Sequence, residues 1–225
     1  MKKSPTVLVI GASRGIGHEL ARQYRDAGAT VHATVRKDAD ATALNAIGCT
    51  VHHLDVIVAD DWHAFGKAIA AIGFDIAIHN AGVSGPRGDG PPTRDEFDDT
   101  MRANVWAAMQ MSPRVGPRVA AVHGKLVVVS SRLGSISMRD NGKYTAYRAS
   151  KAAVNSVMKD AALTYGPQGV TCIALHPGWV RTDMGGGGAD LDVADSAKGI
   201  RKTIEGLSRD DNGCFFNYDG GTMRW

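Results

Sequence analysis

Short apolar, β-branched runs recur along this chain at intervals filled by amphipathic stretches, and this alternation limits the possible folds more than any single residue does. Strands are predicted at 6–10 (TVLVI), 30–35 (TVHATV), 50–54 (TVHHL), 74–78 (FDIAI), 125–130 (KLVVVS), 170–175 (VTCIAL) and 214–218 (CFFNY). Helical periodicity fills 15–27, 38–47, 60–72, 94–111, 146–166 and 192–207, several of them opened by an Asp or Thr suited to capping. Strands that are apolar nearly throughout must be buried on both faces. The expected architecture is therefore α/β: a mostly parallel sheet covered by helices on both sides, with ligands bound beyond the carboxyl ends of the strands.

With 225 residues, the rhythm makes one domain spanning 1–225. Lys and Arg number 26 against 23 Asp and Glu, a net +3 that is scattered rather than blocked, so neither a nucleic-acid stripe nor a polybasic membrane patch is expected. Cys49, Cys172 and Cys214 are odd in number and lack paired spacing, which points to a reducing compartment. Met1-Lys2-Lys3 is basic, but only Val7 to Ile10 is apolar before a glycine-rich turn, too short for a secretory core. No apolar run approaches the roughly 18 residues of a membrane span. The expectation is a cytoplasmic protein acting on small molecules, with no nucleic-acid or membrane partner. His52, His53 and His63 have no partner at metal-ligand spacing, and no metal is expected.

The first strand runs into Gly11-Ala12-Ser13-Arg14-Gly15-Ile16-Gly17, and a helix follows at once. Glycines permit a tight turn and close approach to a pyrophosphate, while the helix N-terminus offers unpaired N–H groups and a favourable dipole. An acidic residue about 20 positions on would favour NAD. Val35 and Arg36 stand there instead, 18 and 19 residues after Gly17. Arg36 and Arg14 suit a 2′-phosphate, so NADP(H) is the expected cofactor.

Tyr147-Arg148-Ala149-Ser150-Lys151 opens a helix, and the spacing of four puts Tyr147 and Lys151 on one face. A nearby ammonium is expected to lower the tyrosine pKa and ease proton exchange. Tyr144 competes for the role, but four residues beyond it stands Arg148, which keeps its proton.

Taken in order, Gly11-xxx-Gly15-x-Gly17, Asn80-Ala81-Gly82, Ser131, Tyr147-xxx-Lys151 and Pro177-Gly178 resemble the short-chain dehydrogenase/reductase family along essentially the whole chain. Ser130-Ser131, His176-Pro177-Gly178-Trp179-Val180 and Phe215-Phe216-Asn217-Tyr218-Asp219-Gly220 resemble its C-factor and sniffer-type carbonyl reductase branch. The resemblance implies a Rossmann-type doubly wound sheet of about seven mostly parallel strands. It also implies an NADPH-dependent, reversible reduction of small or medium aldehydes and ketones. Tyr147 would be the acid/base and Ser131 the hydroxyl orienting the substrate oxygen, with Ser130 the alternative. Lys151 would hold the nicotinamide ribose, and Asn104 would anchor a water relay to it. Gly11, Ser13, Arg14, Gly15, Ile16 and Gly17 would cradle the cofactor, with Arg36 at its phosphate. Asp55 and Val56 would meet the adenine, Asn80, Ala81 and Gly82 the ribose, and Pro177, Gly178, Val180 and Thr182 the nicotinamide amide. A homo-oligomer, dimer or tetramer, is implied too. The rival readings are a 3-oxoacyl thioester reductase and a C-factor-like signalling protein whose output is binding.

The chain departs from the family pattern at several points. His79 replaces an asparagine and Ile10 a threonine, both structural contacts. Pro113, Gly116 and Pro117 are expected to interrupt the helix that relatives use to pair subunits. The long spacing from Ser131 to Tyr147 predicts a pocket-shaping loop. Met184 to Leu191, with its run Gly185 to Gly188, is expected to be a mobile lid.

Overall fold

A computed structural model describes residues 4–87 and 90–225, so the basic Met1-Lys2-Lys3 lies outside the described residues. Strands β1 (Thr6–Ile10), β2 (Thr30–Val35), β3 (Thr50–His53), β4 (Ile76–His79), β5 (Lys125–Val129), β6 (Thr171–His176), β7 (Phe215–Asn217) and β8 (Thr222–Met223) form one sheet in the order β3-β2-β1-β4-β5-β6-β7-β8. All pairs are parallel except β7 with β8. The sheet thus has eight strands rather than about seven. The additional one is a two-residue strand too short to leave a periodic signal.

The strand order reverses between β1, whose neighbours are β2 and β4, and this opens a crevice at the carboxyl ends of those strands. Period-two alternation divides the core between the two faces. Leu8 and Ile10 pack with Trp62, Phe65, Phe74 and Met111 on one side. Val7 and Val9 pack with Leu20, Val31 and Ile200 on the other. Helices α3 (Ala59–Ala68), α5 (Ala107–Ala120) and α6 (Thr145–Tyr165) contribute to the first layer, and α1 (Gly15–Asp26), α2 (Ala41–Ala46) and α7 (Val193–Gly206) to the second.

The helix expected at 94–111 is longer and composite. It begins as α4 (Arg94–Met101) behind a capping box of Thr93 and Glu96, passes through a π-helical stretch at 102–106, and continues as α5. Pro113 and Pro117 do not interrupt it, contrary to the sequence-based expectation. They stand one turn apart on the same face as exposed Met109, while Met111, Val115 and Val119 face the core. Pro113 and Pro117 line an open groove beside His63, Gly66 and Lys67 of α3, and the buried packing of Met111, Val115 and Val119 holds the helix together across them.

Candidate active site

The glycine turn is held from beneath by Thr34, which the sequence did not mark, and by Asn80, which it marked for another role. The Gly11 N–H donates to Thr34 Oγ1 at 3.0 Å, and Asn80 Nδ2 donates to the Gly11 carbonyl at 2.8 Å. Gly11 has φ +82, and a Cβ at Gly17 would lie 2.2 Å from the Gly11 carbonyl oxygen, so the first turn of α1 can approach β1 only without a side chain. Asn80 therefore braces the turn as well as lining the crevice.

That crevice is one cleft of about 890 Å³. Along it lie Gly11, Ser13, Arg14, Gly15 and Ile16 from the turn, and Arg36 beyond β2. Asp55 and Val56 follow β3, and Asn80, Ala81 and Gly82 follow β4. Tyr147, Lys151 and Thr182 complete the expected set. Gly17, Asn104, Ser131, Pro177, Gly178 and Val180 stand outside this lining, as supports or neighbours. Pro177 accepts from Ser196 Oγ at 2.6 Å, Gly178 packs beneath Leu191 and Tyr218, and Val180 is buried in a bridge to Leu191. Asp55 is fixed by its own turn: its N–H donates to Asp61 Oδ2 at 2.7 Å and its Oδ1 accepts from the Ile57 N–H at 3.2 Å. Across the mouth, Arg14 Nη1 meets Asp183 Oδ2 at 2.5 Å, and Arg87 Nη2 donates to the Met184 carbonyl at 2.6 Å. Nothing in local sequence spacing announces either contact, since each joins segments about a hundred residues or more apart.

At the other end, Lys151 is buried and its Nζ donates to the Val129 carbonyl at 3.0 Å. Burial pulls its pKa down to about 8. Burial also raises the Tyr147 phenol, and the group that opposes the rise is the Ser131 hydroxyl. The lowering expected from the Lys151 ammonium does not figure among these causes. Ser131 Oγ additionally accepts the Leu133 N–H at 3.1 Å, whereas Ser130 Oγ turns into the core and donates to Asn155 Oδ1 at 2.5 Å. Ser130 nevertheless lines the cleft, while of the two serines it is the Ser131 hydroxyl that acts on the Tyr147 phenol.

Asn104 sits in the π-helical stretch and is buried. Its Oδ1 accepts the Val83 N–H at 2.8 Å, and its Nδ2 donates to the Val83 carbonyl at 3.0 Å and to Ser150 Oγ at 2.9 Å. Ser150 Oγ in turn donates to the Tyr147 carbonyl at 2.8 Å. A Cβ on Gly82 would lie 2.9 Å from Asn104 Oδ1 and 3.5 Å from Lys151 Nζ, so the chain passes between these two groups only as glycine. Ser150 is a link that the sequence reading missed, although it lies inside the Tyr147 to Lys151 motif.

His79 is fully buried with neither ring nitrogen hydrogen-bonded, and burial, reinforced by the Lys151 charge, pushes its pKa down to about 3. His52 finds a partner that spacing could not reveal: its Nε2 is 2.9 Å from His32 Nδ1 across the β2–β3 pair. Segment 184–191 is a loop pinned at its base, with the Leu191 N–H donating to the Trp179 carbonyl at 3.1 Å and the Arg181 N–H donating to the Leu191 carbonyl at 2.9 Å. Among the described residues, no helix is long and apolar enough to cross a membrane.

Comparison with known proteins adds independent findings. Residues 11–204 match a family model described as enoyl-(acyl carrier protein) reductase. C-signal of Myxococcus xanthus is 35% identical over 167 residues, which are 72% of this chain and 99% of that protein. A structure assigned to the short-chain dehydrogenases/reductases, from Burkholderia multivorans with bound NADP, superposes with TM-score 0.87 at 30% identity over 99% of this chain and 100% of its own. Carbonyl reductase Sniffer of D. melanogaster superposes with TM-score 0.91 at 28% identity, covering 99% and 100%.

Proposed function

Because the chain belongs to the short-chain dehydrogenase/reductase family, we propose that it reduces small or medium aldehydes and ketones to alcohols with NADPH, reversibly, using Asn104, Ser131, Tyr147 and Lys151. The observation that carries this reading is the single cleft joining the cationic pair Arg14 and Arg36 to Tyr147 and Lys151.

The residues fit the cofactor. The cradle at Gly11 to Gly17, which a Cβ would fill, leads to the N-terminus of α1, where backbone N–H groups and the helix dipole favour a diphosphate. Arg14 and Arg36 suit a 2′-phosphate as bidentate donors. Ser13, Gly15 and Ile16 would complete the cradle, Asp55 and Val56 would flank the adenine, Asn80 to Gly82 and Lys151 would hold the nicotinamide ribose, and Thr182 would meet the amide. When bound, NADPH supplies the hydride.

The protein's share is a proton and its placement. The burial that raises the Tyr147 phenol keeps its proton in place at neutral pH, available to a carbonyl oxygen gaining negative charge. Ser131 donates to the same oxygen and fixes its direction. Lys151, at about 8, is mostly ammonium at pH 7, and its charge stabilises the phenolate left behind. Asn104, through Ser150, holds the backbone turn that carries Tyr147.

Two rivals have specific support. The description of the matching family model favours an acyl thioester substrate, and the C-signal relative favours an output by binding. NADPH oxidation with a panel of aldehydes, ketones, diketones and acyl thioesters tests all three. Turnover of free carbonyls is expected. Turnover of thioesters alone would replace this reading with the first rival, and tight NADPH binding without any turnover would replace it with the second. We further expect a homo-oligomer, because α5 runs unbroken and presents Met109 at 50% exposure; sedimentation velocity tests this.

A further inference from the structure

Between Ser131 and Tyr147 the chain has a 3-10 turn at 132–134 and then no helix or strand before α6. Its first half is anchored by Ser135, fully buried, whose Oγ donates to the Arg224 carbonyl at 2.7 Å and accepts the Met138 N–H at 3.2 Å. The second half is held by a different device. Arg148 follows Tyr147 in sequence, yet its side chain is only 3% exposed. Its Nε donates to the Lys143 carbonyl at 2.8 Å, and its Nη2 to Asn141 Oδ1 at 3.1 Å and Asp140 Oδ1 at 3.3 Å. On its other oxygen Asp140 meets Arg132 Nη2 at 3.9 Å, and Arg132 follows Ser131. One carboxylate thus faces the guanidinium groups that come directly after the two residues acting on the substrate oxygen.

A buried guanidinium is costly to desolvate, and an apolar side chain of similar volume would fill this position at least as stably. What an apolar residue cannot do is hold three points of an irregular loop in a planar fork. Every partner of that fork lies in 140–143, and none belongs to the sheet or to the cofactor cleft. Ile136, 70% exposed, projects from the stretch between the two anchors.

We propose that Arg148, acting with Asp140, is a positioning and specificity-determining residue that fixes the loop between Ser131 and Tyr147 and thereby sets which carbonyl compounds the site accepts. The proposal rests on the carbonyl reductase reading for its kinetic consequence, and on the hydrogen bonds alone for its structural one.

Arg148→Met, Arg148→Lys and Asp140→Asn are to be compared with wild type on a small aliphatic aldehyde and a bulky aromatic ketone, with NADPH affinity and hydrogen exchange of 135–144 measured in parallel. In Arg148→Met, KM for the preferred carbonyl is expected to rise about 10- to 100-fold, the scale of a displaced positioning group, and the ratio between the two substrates to shift. NADPH affinity should stay within about threefold, far below that scale. Exchange at 135–144 should accelerate, with Arg148→Lys intermediate. Unchanged KM values and unchanged exchange would overturn the proposal. A uniform loss of kcat, NADPH binding and global protection would overturn it as well, by showing a merely structural role. Should Arg148→Met fail to fold, Asp140→Asn, whose side chain is 60% exposed, decides by the same KM shift. If wild type turns over no carbonyl, the functional reading falls, and exchange at 135–144 alone supports or overturns the clamp.

Discussion

The Lys151 ammonium lies 5.8 Å from the centroid of the Tyr147 ring, one helical turn along the same face of α6, with one of its protons donated to the Val129 carbonyl. The ammonium thus sits within cation–π range of the ring while one of its donors is tied to the sheet.

Tyr147→Phe removes the transferable proton and keeps the ring. Turnover is expected to fall about 100- to 10,000-fold, the usual contribution of a general acid, with NADPH affinity nearly unchanged. Tyr144→Phe is the control, because Tyr144 is 39% exposed in left-handed backbone just before α6. Equal losses in the two variants would remove Tyr147 from the mechanism.

NADPH should bind more tightly than NADH, and Arg36→Asp should reverse the order, since the new carboxylate repels a 2′-phosphate and accepts from a free 2′-hydroxyl. Titration calorimetry with both cofactors checks this, and equal wild-type affinities would defeat it.

Asp183 pairs with Arg14 at 2.5 Å, although both side chains are nearly four-fifths exposed, so the pair is weak and a phosphate can displace it. Asp183→Asn is expected to tighten NADPH binding, by no more than about fivefold for an exposed ion pair. Because Asp183 adjoins the pinned loop, NADPH should also change hydrogen exchange across 184–191. Identical exchange with and without NADPH would refute a lid.

The folded protein should lose stability in acid. The ordinary His pKa is 6.5, whereas folding holds His79 down to about 3 and His176 down to about 4. Between those values the unfolded chain takes up protons that the folded one refuses. Stability is therefore complete above 6.5 and declines as pH falls toward 3. At pH 5 the His79 share amounts to about 2 kcal/mol, and His79→Asn should flatten the denaturation midpoint against pH accordingly. A slope unchanged by the substitution would show that His79 is not the source.

Strands β1 and β2 and the start of α1 were readable to the residue because their apolar alternation and glycine punctuation are local. The unbroken α5 was not readable. A proline's effect depends on what holds the helix on either side of it, and only the tertiary packing of Met111, Val115 and Val119 settles that. Within the site, spacing marked the glycine turn and the pair Tyr147 and Lys151, whereas Ser131 and Asn104 stood out only through the family resemblance. The residues that brace them were marked by neither: Thr34 beneath Gly11, Ser150 beneath Tyr147 and Asp183 against Arg14 are joined by the fold, and single-residue chemistry gives no reason to choose them. The same holds for Tyr147, where spacing suggested the lysine's influence but not the burial and the Ser131 hydroxyl that set the direction of its shift.

The sheet ends on β3, four residues long, and on β8, only two. A strand edge is a template on which another chain can add by main-chain hydrogen bonds, and the risk grows with the length of unpaired ladder. At β8 an approaching chain would find barely a rung or two, and at β3 it would meet the half-exposed imidazole of His53 beside Asp61. Protein crowded at high concentration, or partly opened at its rim, therefore has little from which to grow an intermolecular ladder.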